Sequence, residues 1–306
     1  MEFSHVSVLL GETIDSLDIK PDGIYVDGTA GGAGHSREIA KRLNGGHLYA
    51  LDRDPDAVAV ASERLKDYPA TVIKANFSDM RSVLAEKGIY KVNGIMLDLG
   101  VSSYQLDNSE RGFSYKAEAP LDMRMSKSGP TAADLVNTLS REELSRIFKE
   151  YGEERFSFKI AGAIVKEREI TPFTTTTQLA GIIAQSVPAA ARRDGHPARK
   201  CFQALRIEVN GELESLKSVL DDAFDLLVPG GVLSIITFHS LEDRIVKQKF
   251  KEYCTGCTCP PDIPVCVCGK KPRGELKFRK PVTASEEELS INKRSRSAKL
   301  RSIKKL

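Results

Sequence analysis

Residues 24–36, Ile-Tyr-Val-Asp-Gly-Thr-Ala-Gly-Gly-Ala-Gly-His-Ser, constrain the fold more than any other stretch of this chain. Ile24, Tyr25 and Val26 have the apolar, β-branched and aromatic character of a short buried strand. Asp27 falls where that strand ends, and Gly28, Gly31, Gly32 and Gly34 follow closely. Such glycine density lets backbone N–H groups approach a ligand with no Cβ atoms in the way. From His35 onward, Ile39, Ala40 and Leu43 recur at helical spacing. The glycine spacing is neither the dinucleotide G-x-G-x-x-G nor the phosphate loop G-x-x-x-x-G-K-[ST]. A turn of this composition either holds a ligand or merely reverses the chain, and the segments that follow bear on the choice.

Residues 46–54, Gly-His-Leu-Tyr-Ala-Leu-Asp-Arg-Asp, read as a second strand ending in acid. Asp52 lies about 20 residues past the glycine turn, where α/β nucleotide sites place a carboxylate on ribose hydroxyls. A carboxylate suits that task because it can accept hydrogen bonds from both hydroxyls of a vicinal diol. Pro55 fits the first turn of a following helix. A third unit runs through residues 70–73 to Asn76-Phe77-Ser78-Asp79, where Phe77 offers a face to an adenine ring. A fourth, residues 92–100, ends in Asp98. Strands that end in acids and alternate with helical patterns predict an α/β fold, with a parallel sheet and ligands at its carboxyl edge.

After Asp98 the alternation stops. Residues 100–125 show no sustained period and read as an ordered loop of the kind that builds sites. Helical patterns resume at Ser140-Arg-Glu-Glu143, a capping box, and again over 157–168 and 174–186. These predict an inserted helical domain over 121–200, between the fourth and fifth strands, with 1–120 and 201–306 forming the sheet domain. A helix over 202–227, a Pro229-Gly-Gly turn and a strand over 232–238 complete the expected alternation.

At 306 residues, with 41% hydrophobic and 28% charged, the composition is that of an ordinary globular protein with a sizeable core. The start shows no basic and apolar leader, and the apolar run 226–238 is broken by Pro229-Gly-Gly, so a cytoplasmic protein without membrane contact is expected. Residues 270–306 hold 13 Lys or Arg against 4 Glu, a local excess of +9 in a chain of net charge +3. A basic tail on a mildly acidic body is the electrostatic footprint of a phosphate-rich partner, or else a solvated end.

Several segments in order give a more specific likeness: Asp27-Gly-Thr-Ala-Gly-Gly-Ala-Gly-His-Ser, Asp98-Leu-Gly-Val-Ser-Ser, Arg111-Gly-Phe-Ser, Pro120-Leu-Asp-Met-Arg-Met, Tyr151-Gly-Glu-Glu, Phe202-Gln-Ala-Leu-Arg-Ile-Glu-Val-Asn, Phe238-His-Ser-Leu-Glu-Asp-Arg and Arg294-Ser-Arg-Ser-Ala-Lys-Leu-Arg. Together they resemble the bacterial 16S rRNA cytosine-N4 methyltransferase family (RsmH, formerly MraW) from His5 to Arg301. The resemblance implies a Rossmann-like sheet that binds S-adenosylmethionine and methylates the exocyclic amine of a P-site cytosine in 16S rRNA, acting on small ribosomal subunits. The cofactor contacts it carries over fall on Ala33, Gly34, His35, Asp52, Phe77, Asp98 and Gln105. The inserted helical domain is the expected RNA-reading, substrate-recognition element. Departures are modest: Tyr104 stands where Pro or His is usual, and Lys293 replaces a proline before Arg294.

The chemistry points to the same edge of the sheet. A cytosine amine is a poor nucleophile, because its lone pair is delocalised, so an acceptor on its N–H groups assists attack. Asp98 is the best-placed acid for that task or for orienting the cofactor, and His239, ending the fifth strand, is a second catalytic candidate. Tyr104 and Phe113 are candidate stacking faces for a base turned out of its helix, with core packing as the alternative. Arg111, Arg124, Arg199 and Arg206 are candidate phosphate contacts, with internal ion pairs as the alternative. Cys254, Cys257, Cys259, Cys266 and Cys268 cluster among prolines, where cytosolic redox conditions favour structural zinc over disulfides. No metal is expected in the reacting core. A cofactor-binding ribosome assembly factor without turnover, a methyltransferase of proteins or small molecules, and a homodimer all remain open at this level.

Overall fold

Seven strands form one sheet in the computed structural model, which describes residues 7–189, 195–257, 259, 265 and 268–306. They are β1 (Ile24–Asp27), β2 (His47–Asp52), β3 (Ala70–Lys74), β4 (Val92–Asp98), β5 (Leu227–Thr237), β6 (Gly274–Leu276) and β7 (Lys299–Lys305). Their order is β3-β2-β1-β4-β5-β7-β6. The first five run parallel, as expected, and β7 inserts antiparallel between β5 and β6. This is a Rossmann-like, doubly wound sheet whose strand order reverses between β1 and β4, the place where such sheets bind ligands.

The period-two alternation of the strands divides the core into two faces. Tyr25, Leu48, Ala50 and Met96 pack with Ile14, Ile39, Ala61 and Leu65. Their sequence neighbours Val26, Leu51, Ile95 and Leu97 pack with Leu84, Leu220, Phe224 and Phe250. Burial on both faces explains why β4 and the second half of β5 read as nearly unbroken apolar runs. Helix Pro55–Leu65 starts where the sequence suggests: Pro55 takes its first position and the Asp54 carboxylate accepts the Asp56 N–H at 3.0 Å.

Two expected elements differ. The helix expected over 202–227 is two helices, Ala198–Asn210 and Glu212–Leu226, divided by Gly211 at φ 57°. Glycine ends a helix there because a left-handed residue costs it nothing. The Pro229-Gly-Gly turn lies inside β5: Leu227 pairs with Val92 and Val232 with Gly94, so residues 228–231 bulge from the ladder.

The basic segment 270–306 is largely built into the fold. Lys305 Nζ donates to the carbonyls of Phe224, Asp225 and Leu227 at 3.0, 3.0 and 2.8 Å, capping the end of helix Glu212–Leu226. Arg301 Nε and Lys299 Nζ reach the Asp243 carboxylate at 2.7 and 3.3 Å. A buried hydroxyl chain ties the same region to the sheet: Ser234 Oγ lies 2.7 Å from Ser16 Oγ and 2.9 Å from Ser302 Oγ. Ser234→Ala removes the middle member and is expected to cost about 1–2 kcal/mol, read from the shift in denaturation midpoint. An unchanged midpoint would mean that the chain contributes nothing to stability.

The chain divides into a first unit, Met1–Gly100 with Leu213–Leu306, and a second, Val101–Glu212. The second unit extends beyond residues 121–200 on both sides, because Phe113, Ala204 and Leu205 share one core with Leu121, Phe148, Ile164 and Ile183. Several of its helices begin at capping boxes, including the one read at Ser140 and Glu143, with others at Thr131 and Asp134 and at Thr175 and Gln178. Among the described residues no helix is long and apolar enough to cross a membrane.

Candidate active site

The glycine turn is organised by a carboxylate beneath it. Asp27 is buried, and its Oδ1 accepts the Thr29 N–H at 3.0 Å while Oδ2 accepts the Ser36 hydroxyl at 2.6 Å. Thr29 Oγ1 in turn accepts the Asp98 N–H at 2.6 Å, fastening the turn after β1 to the end of β4. Gly31 N–H donates to Asp52 Oδ2 at 2.8 Å, and Asp54 N–H to Asp52 Oδ1 at 2.8 Å. Ala33 caps the helix Gly34–Ala40 in the left-handed conformation, φ 61°, and is itself buried. A Cβ on Gly31 would meet only the Thr29 carbonyl oxygen, at 3.8 Å, so the turn has room beside it.

Three carboxyls converge on this edge with proton affinities above the ordinary range. Burial raises Asp27 against the hydrogen bonds from Ser36 and Thr29. Burial, with repulsion from Asp54 and Asp27, pushes Asp52 up to about 6 despite its two backbone hydrogen bonds. Burial, with Asp27 and Glu242 adding repulsion, pushes Asp98 up to about 8. Asp98 is partly exposed as a residue, yet its Oδ1 is buried and has no hydrogen-bond partner among the described residues. His35 Nε2 lies 3.0 Å from the Val8 carbonyl and so carries a proton, while Nδ1 lies 3.8 Å from Asp98 Oδ2.

His239 follows β5 at the start of helix Ser240–Cys254, with Nε2 3.1 Å from Glu242 Oε1. The other Glu242 oxygen accepts the Phe238 and His239 N–H groups at 2.9 and 3.3 Å, and both His239 ring nitrogens are buried without a hydrogen bond among the described residues. Buried acids and an unpaired carboxylate oxygen fit a ligand that brings positive charge, and each Asp52 oxygen retains a lone pair for a hydroxyl.

The elevated proton affinity has a consequence for stability. Asp98 holds its proton to about pH 8 when folded but releases it near the ordinary value of 3.8 when unfolded. Its share of stability is therefore full below that lower value and declines as pH rises to about 8, by up to about 1.4 kcal/mol per pH unit. Asp98→Asn has no proton to lose. The melting temperature of the ligand-free variant minus that of the parent is thus expected to grow from pH 5 to pH 8 and then level off. A difference independent of pH would show that Asp98 titrates normally.

The first unit thus contains Ala33, Gly34, His35, Asp52, Phe77, Asp98 and His239. Phe77 is half-buried in the turn Phe77–Asp79, and a Cβ on Gly28 would lie 3.0 Å from its Cβ, which sets Phe77 against the glycine turn. Gln105 belongs to the second unit, buried in helix Ser103–Asp107, where it forms a capping box with Ser102. Phe113 is core, 8% exposed, and so is no stacking platform, while Tyr104 is half-buried. Arg111 donates to the carbonyls of Arg124 and Met125, Arg124 pairs with Asp122, and Arg206 pairs with Glu212, so the internal alternative holds for these. Arg199 instead lines a cavity of the second unit with Arg155, His196 and Lys200. Glu242 falls in residues 240–243, which the sequence offers as a helix cap with acids in the first turn, and its distance from His239 is capping-box spacing.

Comparison with known proteins adds a family. Residues 2–306 match the MraW methylase family. The chain is 55% identical over 309 residues to the ribosomal RNA small subunit methyltransferase H of Clostridium botulinum, covering 100% of both chains. It is 55% identical over 311 residues to that of Lachnospira eligens, covering 100% of this chain and 99% of the relative. Against the Carboxydothermus hydrogenoformans protein of the same name it is 53% identical over 309 residues, with 100% and 99% covered.

Proposed function

Because the chain belongs to the MraW methylase family, whose members depend on S-adenosylmethionine, we propose that it methylates the exocyclic N4 amine of a cytosine in the P site of 16S ribosomal RNA. The relatives named as small-subunit rRNA methyltransferases, matched over their whole length, support the RNA substrate. The observation that carries the amine chemistry is Asp98: a carboxyl at the end of β4, beside the glycine turn, with one buried oxygen that no described residue satisfies.

The cofactor supplies a methyl group on a positively charged sulfur, already a strong electrophile. The work left to the protein is alignment and proton management. The turn at Gly31–Gly34 would let backbone approach the ligand, Asp52 would receive ribose hydroxyls, and Phe77 would pack on the adenine. Positive charge bound near Asp98 would favour its carboxylate form. As a carboxylate, Asp98 would accept an N4–H, concentrate the lone pair on nitrogen, and take the proton released as the carbon–nitrogen bond forms and the carbon–sulfur bond breaks, its electron pair leaving on sulfur as a neutral thioether. His239 Nδ1 offers a second acceptor or donor at the same edge. No cysteine occurs over residues 99–120, so covalent attack at the cytosine ring has no thiol in the segment after Asp98.

In this reading the second unit recognises RNA, with the cavity at Arg155, Arg199 and Lys200 taking phosphate, and the protein acts in the bacterial cytoplasm. The test is incubation with labelled S-adenosylmethionine and small subunits from a strain lacking the homologous enzyme, followed by nucleoside mass spectrometry. N4-methylcytidine at one P-site position is expected. Cofactor binding without transfer to any subunit form would favour an assembly factor, and a different modified nucleoside would overturn the amine assignment.

A further inference from the structure

The connection between helix Ser240–Cys254 and β6 holds a cysteine arrangement that methyl transfer does not use. Its base is closed: Arg273 N–H donates to the Tyr253 carbonyl at 2.8 Å, and a Cβ on Gly256 would fall 3.0 Å from Pro272 Cδ. Between these closures the described residues carry no helix or strand, and Val265 is 70% exposed. A segment whose described residues show neither secondary structure nor a buried side chain gains order from a cross-link between them.

Cys257, Cys259 and Cys268 supply one, their Sγ atoms lying within 4.8 Å of one another. The Cys257 and Cys268 sulfurs are 3.7 Å apart. A disulfide would place them about 2.05 Å apart. Four sulfurs around zinc, each about 2.3 Å from the metal, form a tetrahedron with edges of about 3.8 Å. The two sulfurs are hydrogen-bonded with Cys268 as donor, and their separation is also that of two ligands of one metal. In addition, the Cys259 N–H donates to Cys257 Sγ at 3.4 Å, a bond that favours the thiolate.

We propose that Cys257, Cys259 and Cys268 bind a zinc-class divalent cation that fastens this loop. On binding, the three thiols release their protons to solvent and coordinate as thiolates, with no change of oxidation state. The remaining position of the tetrahedron takes a fourth donor, a further thiolate or water. Cys254 packs against the core of the first unit and stands outside the group. Cys266, the fifth cysteine of the cluster, lies outside the described residues.

The experiment uses the full chain, purified in reductant without chelator. Elemental analysis is expected to find one zinc per chain. Replacement by cobalt is expected to give a sulfur-to-metal charge-transfer band and the d–d envelope of a tetrahedral site. Cys257→Ser, Cys259→Ser and Cys268→Ser should each lose the metal, while Cys201→Ala, in the core of the second unit, keeps it. Circular dichroism on each variant separates metal loss from unfolding, and the cobalt spectrum of the unmutated protein decides the matter if a variant does not fold. A folded chain that binds neither zinc nor cobalt at equimolar metal, or a mass deficit of two hydrogens that reports a disulfide in the reduced preparation, would overturn the proposal.

Discussion

Asp98→Asn is expected to lower kcat for methyl transfer by roughly 100- to 10,000-fold, the range of a lost general base. The substitution is nearly isosteric, and the contact that joins β4 to the glycine turn is the Asp98 backbone N–H to Thr29 Oγ1, which the variant keeps. What changes is the side chain: an amide cannot take a proton from the amine. Two readouts divide the roles open to this acid. If Asp98 only helps to hold the cofactor, its KM rises and kcat survives. If it acts on the amine, kcat falls and the cofactor KM moves little. The pH profile adds a third reading. With Asp98 pushed up to about 8 in the free protein, kcat/KM of the parent is expected to climb toward that pH, and the residual activity of the variant to lack the climb. A variant with unchanged kcat would remove Asp98 from the chemistry. The same change should stabilise the ligand-free protein above neutral pH, because the cost of keeping this acid protonated disappears with it.

That site was legible because each of its parts is local. A parallel α/β unit places its strand-end residue at the carboxyl edge whatever the rest of the chain does, so Asp27, Asp52 and Asp98 could be put on one edge from alternation alone. The interactions that set their proton affinities are not local. Asp98 feels Glu242, far away in sequence, and nothing in the spacing of either residue announces the meeting. Part of the basic end of the chain has a structural role that was hidden for a related reason. Lys299, Arg301 and Lys305 have the composition of a phosphate footprint, yet they hold Asp243 and the end of helix Glu212–Leu226. Their role follows from β7 entering the sheet antiparallel between β5 and β6, a long-range pairing that charge counting cannot see. Gly211 was overlooked because the apolar pattern continues through it, and a glycine within a helix costs only about 1 kcal/mol.

Gly112→Ala is expected to destabilise the second unit by about 3 kcal/mol or more, through two separate penalties. The residue sits at φ 71°, in the left-handed region where an alanine is strained. A Cβ there would also lie 2.3 Å from the Pro120 carbonyl oxygen and 2.8 Å from the Asp122 nitrogen. These are backbone atoms, and they are held in place: Met123 N–H donates to the Arg111 carbonyl at 3.0 Å, and Pro120 bridges to Thr175. The segment cannot move aside without pulling Leu121 and Met123 from the core. Arg111-Gly-Phe-Ser reads from sequence as part of a functional loop. Its buried arginine, close-packed glycine and core phenylalanine instead make it the keel on which that loop is set. Hydrogen exchange should therefore quicken across residues 101–212 in the variant while the sheet of the first unit keeps its protection. If Gly112→Ala instead abolished methyl transfer with exchange and melting unchanged, the motif would be a ligand contact, and the close approach to Pro120 would not be what requires the glycine.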